Sequence, residues 1–198
     1  KYSKAIDLYK RILEFQEKNL DPVNPDIVHT LNLLAYLYQN LGLFSKAESL
    51  FLRALSIYEE VLGPEHPYTA TTLNNLGHIY IQQGLYRKAE TLVLKALSIR
   101  EKVLGPEHSD TASSLNTLAY LHNQQGLYTK AEPLVLRALS INEKVLGPEH
   151  PNTASSLNIL AHLYKQQGLY SKAEPLYQRA LSISCLLYTS PSPRDDEL

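Results

Sequence analysis

The chain has no methionine, a single cysteine and almost no net charge, and each shortage narrows what the protein can be. Its 198 residues include 19 Lys or Arg and 20 Asp or Glu, for a formal charge of −1, which gives no electrostatic case for nucleic acid or an acidic membrane. The lone Cys185 excludes an internal disulfide framework. No stretch approaches the roughly 20 apolar residues that a bilayer-spanning helix needs. We therefore expect a cytoplasmic protein that binds neither nucleic acid nor membrane.

A repeat of 42 residues, kept without insertion or deletion, dominates what is present. An aromatic residue opens each copy of one phrase, at Tyr2, Phe44, Tyr86, Tyr128 and Tyr170. The pentapeptide Leu-Gly-Pro-Glu-His recurs from Leu62, Leu104 and Leu146. A fixed period in this range indicates a stack of similar supersecondary units, each contacting only its neighbours. Such arrays present extended surfaces, so the pattern favours a binding scaffold.

Each unit is predicted to contain two helices. In one unit the first helix spans about residues 69–83, with Leu73, Leu76 and Ile79 at helical spacing, and the second spans about residues 86–104. Seven of the eight glycines fall just past a predicted helix end, where a left-handed conformation closes a helix without a steric penalty. Gly77 is the exception, and its position predicts a close approach of two helices.

Helix starts are predicted from capping residues. Asn24, His66 and His150 precede prolines and are placed at or near the caps of first helices. Second helices show a capping-box pattern, at Ser45–Glu48, Thr129–Glu132 and Ser171–Glu174. Pro133 and Pro175 follow one residue later. Either these helices begin later, or one backbone hydrogen bond is forgone.

The motif resembles the tetratricopeptide repeat over residues 1–184. In one unit it consists of Leu73, Leu76, Gly77, Tyr80, Gly84, Tyr86, Ala89, Ala96 and Leu97. The period of 42 exceeds the usual 34, and this longer form is similar to the kinesin light chain class and to many bacterial multi-repeat proteins. The resemblance implies an all-α fold: a right-handed α-solenoid of antiparallel helix pairs, with a half-unit, four full units and about nine helices.

Both ends of the chain suggest a fragment of a longer protein. There is no methionine, and Lys1 opens halfway through a repeat. At residue 185 the repeat predicts Glu, yet the chain continues Cys185-Leu-Leu-Tyr-Thr-Ser-Pro-Ser-Pro-Arg-Asp195. This tail resembles a translated sequencing adapter, so residues 185–198 are interpreted as non-native and disordered after about residue 188. A competing interpretation treats Asp195–Leu198 as an endoplasmic-reticulum retention signal.

The resemblance also implies where a ligand binds, because first helices line the concave groove in this family. One groove position is asparagine in every unit, and one turn further on the residue is tyrosine or histidine. The implied peptide-binding residues are Asn32, Tyr36, Asn74, His78, Asn116, Tyr120, Asn158, His162 and Lys165. An amide can both donate to and accept from a peptide backbone. The alternative is that the asparagines brace neighbouring repeats. Few basic residues line the groove, so a neutral or mixed peptide is expected.

Catalytic and metal chemistry find no support in the sequence. His66, His108 and His150 lie 42 residues apart in successive units, too far to share one ion because packed helices are about 8–10 Å apart. We expect no cofactor, no metal and no enzyme activity. The leading hypothesis is a scaffold that binds a peptide segment of a protein partner. The alternatives are a structural spacer or self-assembly module, and a regulatory segment of a larger signalling protein.

Overall fold

Helices account for nearly all of the described part of the chain. A computed structural model describes residues 2–189, with side chains through residue 185. Over these residues there are nine helices and no strand: α1 Tyr2–Asn19, α2 Pro25–Asn40, α3 Phe44–Val61, α4 Pro67–Gln82, α5 Tyr86–Val103, α6 Ser109–Gln124, α7 Tyr128–Val145, α8 Pro151–Gln166 and α9 Tyr170–Thr189. The predicted limits of α4 and α5 were right to within two residues.

Two compact units divide the chain between Pro106 and Glu107. The first contains α1–α5 and the second contains α6–α9. Within each unit a first helix packs against the second helix that follows it, and that second helix also contacts the first helix of the next repeat. The prediction of an all-α solenoid built from stacked helix pairs is confirmed.

The same sequence columns build the core in both units. In the first unit Ala47 and Phe51 of α3 pack with Leu76 and Ile79 of α4, and all four are fully buried. In the second unit the equivalent contact joins Ala131 and Val135 of α7 with Leu160 and Leu163 of α8. A second helix therefore has two apolar sides. One packs against the first helix of its own repeat, and the other packs against the first helix of the next repeat.

Gly77 marks the predicted close approach between α4 and α5. A Cβ atom at this residue would lie 2.5 Å from Cγ2 of Val93. Gly77 is the one glycine that does not follow a helix end, and the other seven have positive φ angles between 70° and 99°. Glycine is therefore used here for helix contact, and elsewhere to end helices.

The first helices are capped as predicted. The Asn24 side chain accepts a 2.8 Å hydrogen bond from the Asp26 backbone N–H. His66 and His150 accept equivalent bonds through Nδ1 at 3.2 and 3.1 Å, and each is followed by proline in the first turn. His108, which precedes serine, caps α6 in the same way at 3.1 Å. Because each ring accepts through Nδ1, its proton lies on Nε2.

The predicted capping boxes of the second helices are wrong. These helices begin at the preceding aromatic residue, with Leu43 and Leu127 as caps that make no side-chain hydrogen bond. Ser45 therefore lies inside the first turn of α3, and the Glu48 carboxylate accepts instead from the hydroxyl of Tyr80. The leucine side chains have no polar atom to offer the first backbone N–H groups of these helices.

The alternatives for Pro133 and Pro175 are now resolved. Both residues lie within helices, α7 and α9 respectively, which begin five residues earlier at Tyr128 and Tyr170. The helices do not start late, so each proline forgoes one backbone hydrogen bond.

Ion pairs connect consecutive second helices within each unit. Arg53 of α3 contacts Glu17 of α1. Lys95 of α5 lies 3.5 Å from Glu59 of α3, and in the second unit Arg179 of α9 lies 2.7 Å from Glu143 of α7. All of these side chains are more than a third exposed, so each pair contributes at most about 1 kcal/mol to stability.

The proposed foreign tail begins inside α9. Cys185 occupies the column of Glu59 and Glu143, and it is exposed. The helix continues to Thr189. Residues 190–198, including the predicted disordered segment and the alternative retention signal, lie outside the described residues. The interpretation of residues 185–198 as non-native remains a prediction.

Candidate functional site

Each first helix carries a strip of mostly polar side chains, most of which are exposed or half-buried. The strip follows helical spacing of four, three and four residues. We call it the first-helix face. In the first unit it comprises His29, Leu33, Tyr36 and Asn40 of α2, and Thr71, Asn75, His78 and Gln82 of α4; in the second unit it comprises Ser113, Thr117, Tyr120 and Gln124 of α6, and Ser155, Ile159, His162 and Gln166 of α8.

The nine residues predicted to bind a peptide differ widely in exposure. Tyr36 is 41% exposed, and Asn158 and Lys165 are also exposed. Four others are half-buried: Asn32, His78, Tyr120 and His162. Asn74 and Asn116 are only 7% and 8% exposed. The tyrosine and histidine column therefore lies on the first-helix face, whereas the asparagine column lies at its edge.

In the second unit an asparagine of this column braces two repeats. The Asn116 amide donates a 2.7 Å hydrogen bond to the Ser156 hydroxyl, joining α6 to α8. Ser156 also accepts from the Asn142 amide of α7 at 3.0 Å. A hydroxyl has two acceptor lone pairs, so both bonds form together. Bracing, the alternative to peptide contact, is thus observed at Asn116.

Histidines of the first-helix face are held by amides from the preceding first helix. In the first unit the Gln39 amide nitrogen lies 2.8 Å from Nδ1 of His78, and in the second unit that of Asn123 lies 2.7 Å from Nδ1 of His162. Gln166 lies 3.2 Å from the other nitrogen of His162. A neutral imidazole has one donor and one acceptor nitrogen, which suits amide neighbours. Burial lowers the pKa of His78 below its usual value, which favours this neutral form.

Tyr36 is an aromatic residue with a fixed orientation. Its ring meets Phe51 edge to face, with centroids 5.5 Å apart. Burial raises the pKa of its phenol, while a hydrogen bond with Asn75 and the charge of Arg100 act in the opposite direction. A ring held in this way loses little conformational entropy when a ligand stacks on it.

Arg100 is a functional candidate that the sequence reasoning missed. It lies on α5, is only 3% exposed, and donates a 2.9 Å hydrogen bond to the Thr71 hydroxyl on the first-helix face. Its column otherwise contains Gln16, Tyr58, Asn142 and Ser184, so the single charged member is visible in an alignment of the repeats. That signal could have identified a cation beneath the face of the first unit.

Lys165 is not grouped with the other predicted residues. It lines a cleft of about 330 Å³ at the exposed side of α9, together with Tyr170, Glu174, Tyr177 and Leu181. The cleft is mainly apolar, with Lys165 and Glu174 as its charged members.

The three histidines that recur 42 residues apart all lie at helix starts. His66, His108 and His150 are each used in capping a helix. Among residues 2–185, no three His, Cys, Asp or Glu side chains are grouped closely enough to hold a metal ion. In the same part of the chain no helix combines the length and apolar character needed to cross a bilayer.

Comparison with known proteins connects this geometry to a family. A family model described as tetratricopeptide repeat matches residues 1–59, 26–102, 71–132 and 110–185. No curated protein has a significantly similar sequence. The solved structure of BtubC (BKLC) from P. vanneervenii is 30% identical, with a TM-score of 0.72 over 97% of this chain and 77% of that one.

Two further solved structures share the fold. The nearly identical TPR-like repeats of a putative kinesin light chain from Podosopora anserina are 25% identical, with a TM-score of 0.67 over 96% of this chain and 90% of that one. A Rap protein complexed with Competence and Sporulation Factor is 20% identical, with a TM-score of 0.80 over 95% of this chain and 50% of that one. At that identity the Rap protein supports the fold alone. The resemblance to kinesin-light-chain-like repeats is confirmed.

Proposed function

Because this chain belongs to the tetratricopeptide repeat family, we propose that it is a non-catalytic scaffold that binds a peptide segment of a partner protein on its first-helix faces. The partner is a cytoplasmic protein, and binding requires no cofactor, nucleic acid or membrane. Similarity to the repeats of a putative kinesin light chain supports an adaptor role.

The observation that carries the proposal is the ring column of the first-helix face. Tyr36, His78, Tyr120 and His162 recur at one position. Tyr36 is exposed and the other three are half-buried, while the apolar columns of the same helices are buried. Rings of this kind offer a flat apolar surface and a polar tip, which suits contact with peptide side chains. Amides from neighbouring helices hold His78 and His162, so the surface is organised before a ligand arrives.

The asparagine column contributes to peptide binding where its side chains are accessible. Asn158 is exposed and Asn32 is half-buried, so each can meet a peptide backbone. Asn116 acts indirectly, by fixing the distance between α6 and α8 through Ser156. Asn74 is only 7% exposed, so it has little surface to offer a peptide. The proposed peptide is neutral or of mixed charge, because neither of these two cations is placed to bind an acidic peptide on a first-helix face. Lys165 lies at the edge of the second unit, and Arg100 is buried beneath the face of the first.

The proposal can be tested without knowing the natural partner. Random twelve-residue peptides are selected by display against the folded protein, and the affinity of each selected peptide is measured by fluorescence anisotropy. Tyr36→Ala and Asn158→Ala should each weaken binding of peptides that occupy their unit by about tenfold, because one stacking or hydrogen-bonding contact is lost. The melting temperature of Asn158→Ala should not change, since its side chain is exposed.

A matched control is available on the second helices. Leu94 of α5 is 46% exposed and lies outside the first-helix faces, so Leu94→Ala should leave peptide affinity unchanged. Peptides whose affinity depends on Leu94 and not on Tyr36 or Asn158 would place the binding surface on the second helices and contradict the proposal.

Self-assembly is the second candidate function, and exposed apolar side chains favour it. Phe15 of α1 and Tyr170 of α9 are each 67% exposed. Sedimentation equilibrium over a hundredfold concentration range distinguishes the two functions. A mass that rises with concentration, in a protein that selects no peptide, would support assembly over peptide binding.

A further inference from the structure

The ring column of the first-helix faces alternates between two residue types. Along the chain it contains Tyr36, His78, Tyr120 and His162. The column three residues later alternates in step with it and contains Gln39, Ile81, Asn123 and Lys165. An amide therefore follows each tyrosine, and neither histidine is followed by one. These two columns repeat every 84 residues, which is twice the period of the rest of the array.

Contacts within each compact unit turn this alternation into two equivalent groups of side chains. The amide nitrogen of Gln39 lies 2.8 Å from Nδ1 of His78, and that of Asn123 lies 2.7 Å from Nδ1 of His162. We call each group a ring module. The first module consists of Tyr36, Gln39 and His78, and the second consists of Tyr120, Asn123 and His162. The chain divides into its two units after residue 106, so each unit contains one complete module.

Duplication of a block of two repeats does not explain the alternation. Residues 112–116 and 154–158 are both Ala-Ser-Ser-Leu-Asn, whereas the segment two repeats earlier, residues 28–32, is Val-His-Thr-Leu-Asn. Adjacent repeats are thus more alike here than repeats that are two apart. Tyr120 nevertheless becomes His162 four residues after the shared segment, and Asn123 becomes Lys165. The 84-residue period belongs to the columns that form the ring modules.

Both modules offer a peptide the same chemistry. Each has a tyrosine ring, which combines a flat apolar surface with a polar tip. Each also has an imidazole whose Nδ1 accepts from an amide and which is therefore neutral. Outside the modules the faces differ: Asn75 and Ile159 occupy one column. The same short segment therefore fits both modules at its centre, and its flanking residues need not match.

We propose that the two ring modules bind two copies of one short, neutral segment, and that the partner carries this segment twice in one chain. The centre of the segment has an apolar or aromatic side chain that lies on the tyrosine ring. This inference rests on the proposed function, peptide binding on the first-helix faces. Once one copy is bound, the second binds intramolecularly, so two weak contacts combine into a tight one.

The test begins with a twelve-residue peptide that is selected from a random library and shown by chemical-shift mapping to bind on a first-helix face. Isothermal titration calorimetry should find two sites for this peptide on each protein chain. Tandem probes then join two copies of it by Gly-Ser linkers of about 10, 20 and 40 residues. The best tandem probe should bind at least about tenfold more tightly than the single peptide.

Two matched variants each remove one ring. Tyr36→Leu and Tyr120→Leu keep the apolar volume of the side chain, and circular dichroism verifies that they fold. Each should lower the number of sites from two to one and abolish the gain of the tandem probe. Leu94→Ala, on a second helix and outside both modules, is the control and should change neither quantity.

The results separate this inference from the proposed function. One site per chain in the wild type, or no gain from any tandem probe, overturns the inference and leaves peptide binding on a first-helix face intact. Failure of every selected peptide to bind on a first-helix face overturns both. Sedimentation equilibrium of the tandem complex should find one protein chain. Two chains on one probe would show that the copies bind different molecules, which contradicts the inference.

Discussion

The hydroxyl of Tyr164 donates a 2.8 Å hydrogen bond to the Glu132 carboxylate, joining the first helix of one repeat to the second helix of the repeat before it. The Lys172 ammonium lies 5.2 Å from the centroid of the same ring. The first unit contains the same arrangement, with Tyr80, Glu48 and Lys88. One tyrosine thus connects three helices, and it does so with a glutamate whose spacing resembles a capping box.

Replacing Tyr164 tests the strength of this connection. Tyr164→Phe should lower the free energy of unfolding by about 1–2 kcal/mol, because the half-buried Glu132 loses a hydrogen-bond donor. Urea denaturation at pH 7 measures the change. The control is Tyr170→Phe, whose side chain is 67% exposed and which should be neutral. Equal effects of the two substitutions would show that the interaction with Glu132 contributes nothing.

The same bond predicts a response to alkaline pH. Burial, with the bond to Glu132 and its charge, raises the pKa of Tyr164 to about 12, whereas an unfolded tyrosine titrates near 10. The folded state therefore holds the phenolic proton more tightly, and the resulting stability is present below about pH 10 and lost as the pH rises towards 12. Stability measured over this range should fall less steeply for Tyr164→Phe than for the wild type.

Two asparagines of one column should behave differently when mutated. Asn116→Ala should destabilise the protein by about 1–2 kcal/mol, because Asn116 is buried and donates to Ser156. Asn158→Ala should change stability by less than about 0.5 kcal/mol, because Asn158 is exposed. Thermal and urea denaturation of both variants decide the matter. If Asn116→Ala is as stable as the wild type, bracing is not the role of this residue.

Gly77 and Val93 should show strong coupling in a double-mutant cycle. Gly77→Ala places a methyl group 2.5 Å from the Val93 side chain, and overpacking of this kind costs about 1–3 kcal/mol. Val93→Ala alone leaves a cavity, which should lower the free energy of unfolding by roughly 1–2 kcal/mol. The double variant should be more stable than the sum of the two changes predicts, because each relieves the other. If the effects of the two substitutions on stability were additive, α4 and α5 would be moving apart so that the added methyl group does not press on Val93.

His78 predicts a loss of stability in mild acid. Burial lowers its pKa in the folded protein, whereas an unfolded histidine titrates near 6.5. The unfolded chain therefore binds the proton more readily, so His78 contributes stability above about pH 6.5 that is lost as the pH falls through the folded value. His78→Gln, which keeps a polar partner for Gln39, should flatten this dependence between pH 7 and 5. His29→Gln, at an exposed position, is the control and should not.

Local sequence signals predicted the helices and their first-helix caps well. Glycines with positive φ end helices at Gly63 and Gly84, and Asn24 and His66 begin them. Such features depend on backbone geometry within a few residues, so they are visible in the sequence. The capping boxes failed because the same Ser-x-x-Glu spacing served a distant purpose: Glu48 bonds to Tyr80, which is 32 residues away.

The candidate site was predicted less completely, because it depends on contacts between repeats. The column of Tyr36 and His78 lies on the first-helix face as the period suggested. The asparagine column lies four residues earlier, an offset of about 40° around a helix, and Asn116 in this column is buried and bonded to Ser156 of the next first helix. Arg100 was overlooked because it lies on a second helix, yet its side chain reaches Thr71 on the first-helix face.

Chemical-shift mapping of a bound peptide tests the central claim most directly. A peptide selected from a random library is titrated into isotope-labelled protein, and the shifted backbone amides are assigned. The largest shifts should lie on first helices, around Tyr36 and His78 or around Asn158 and His162, with little change at Leu52 and Leu94 on the second helices. Shifts concentrated on α3 and α5, with the first-helix faces unaffected, would contradict the proposed function.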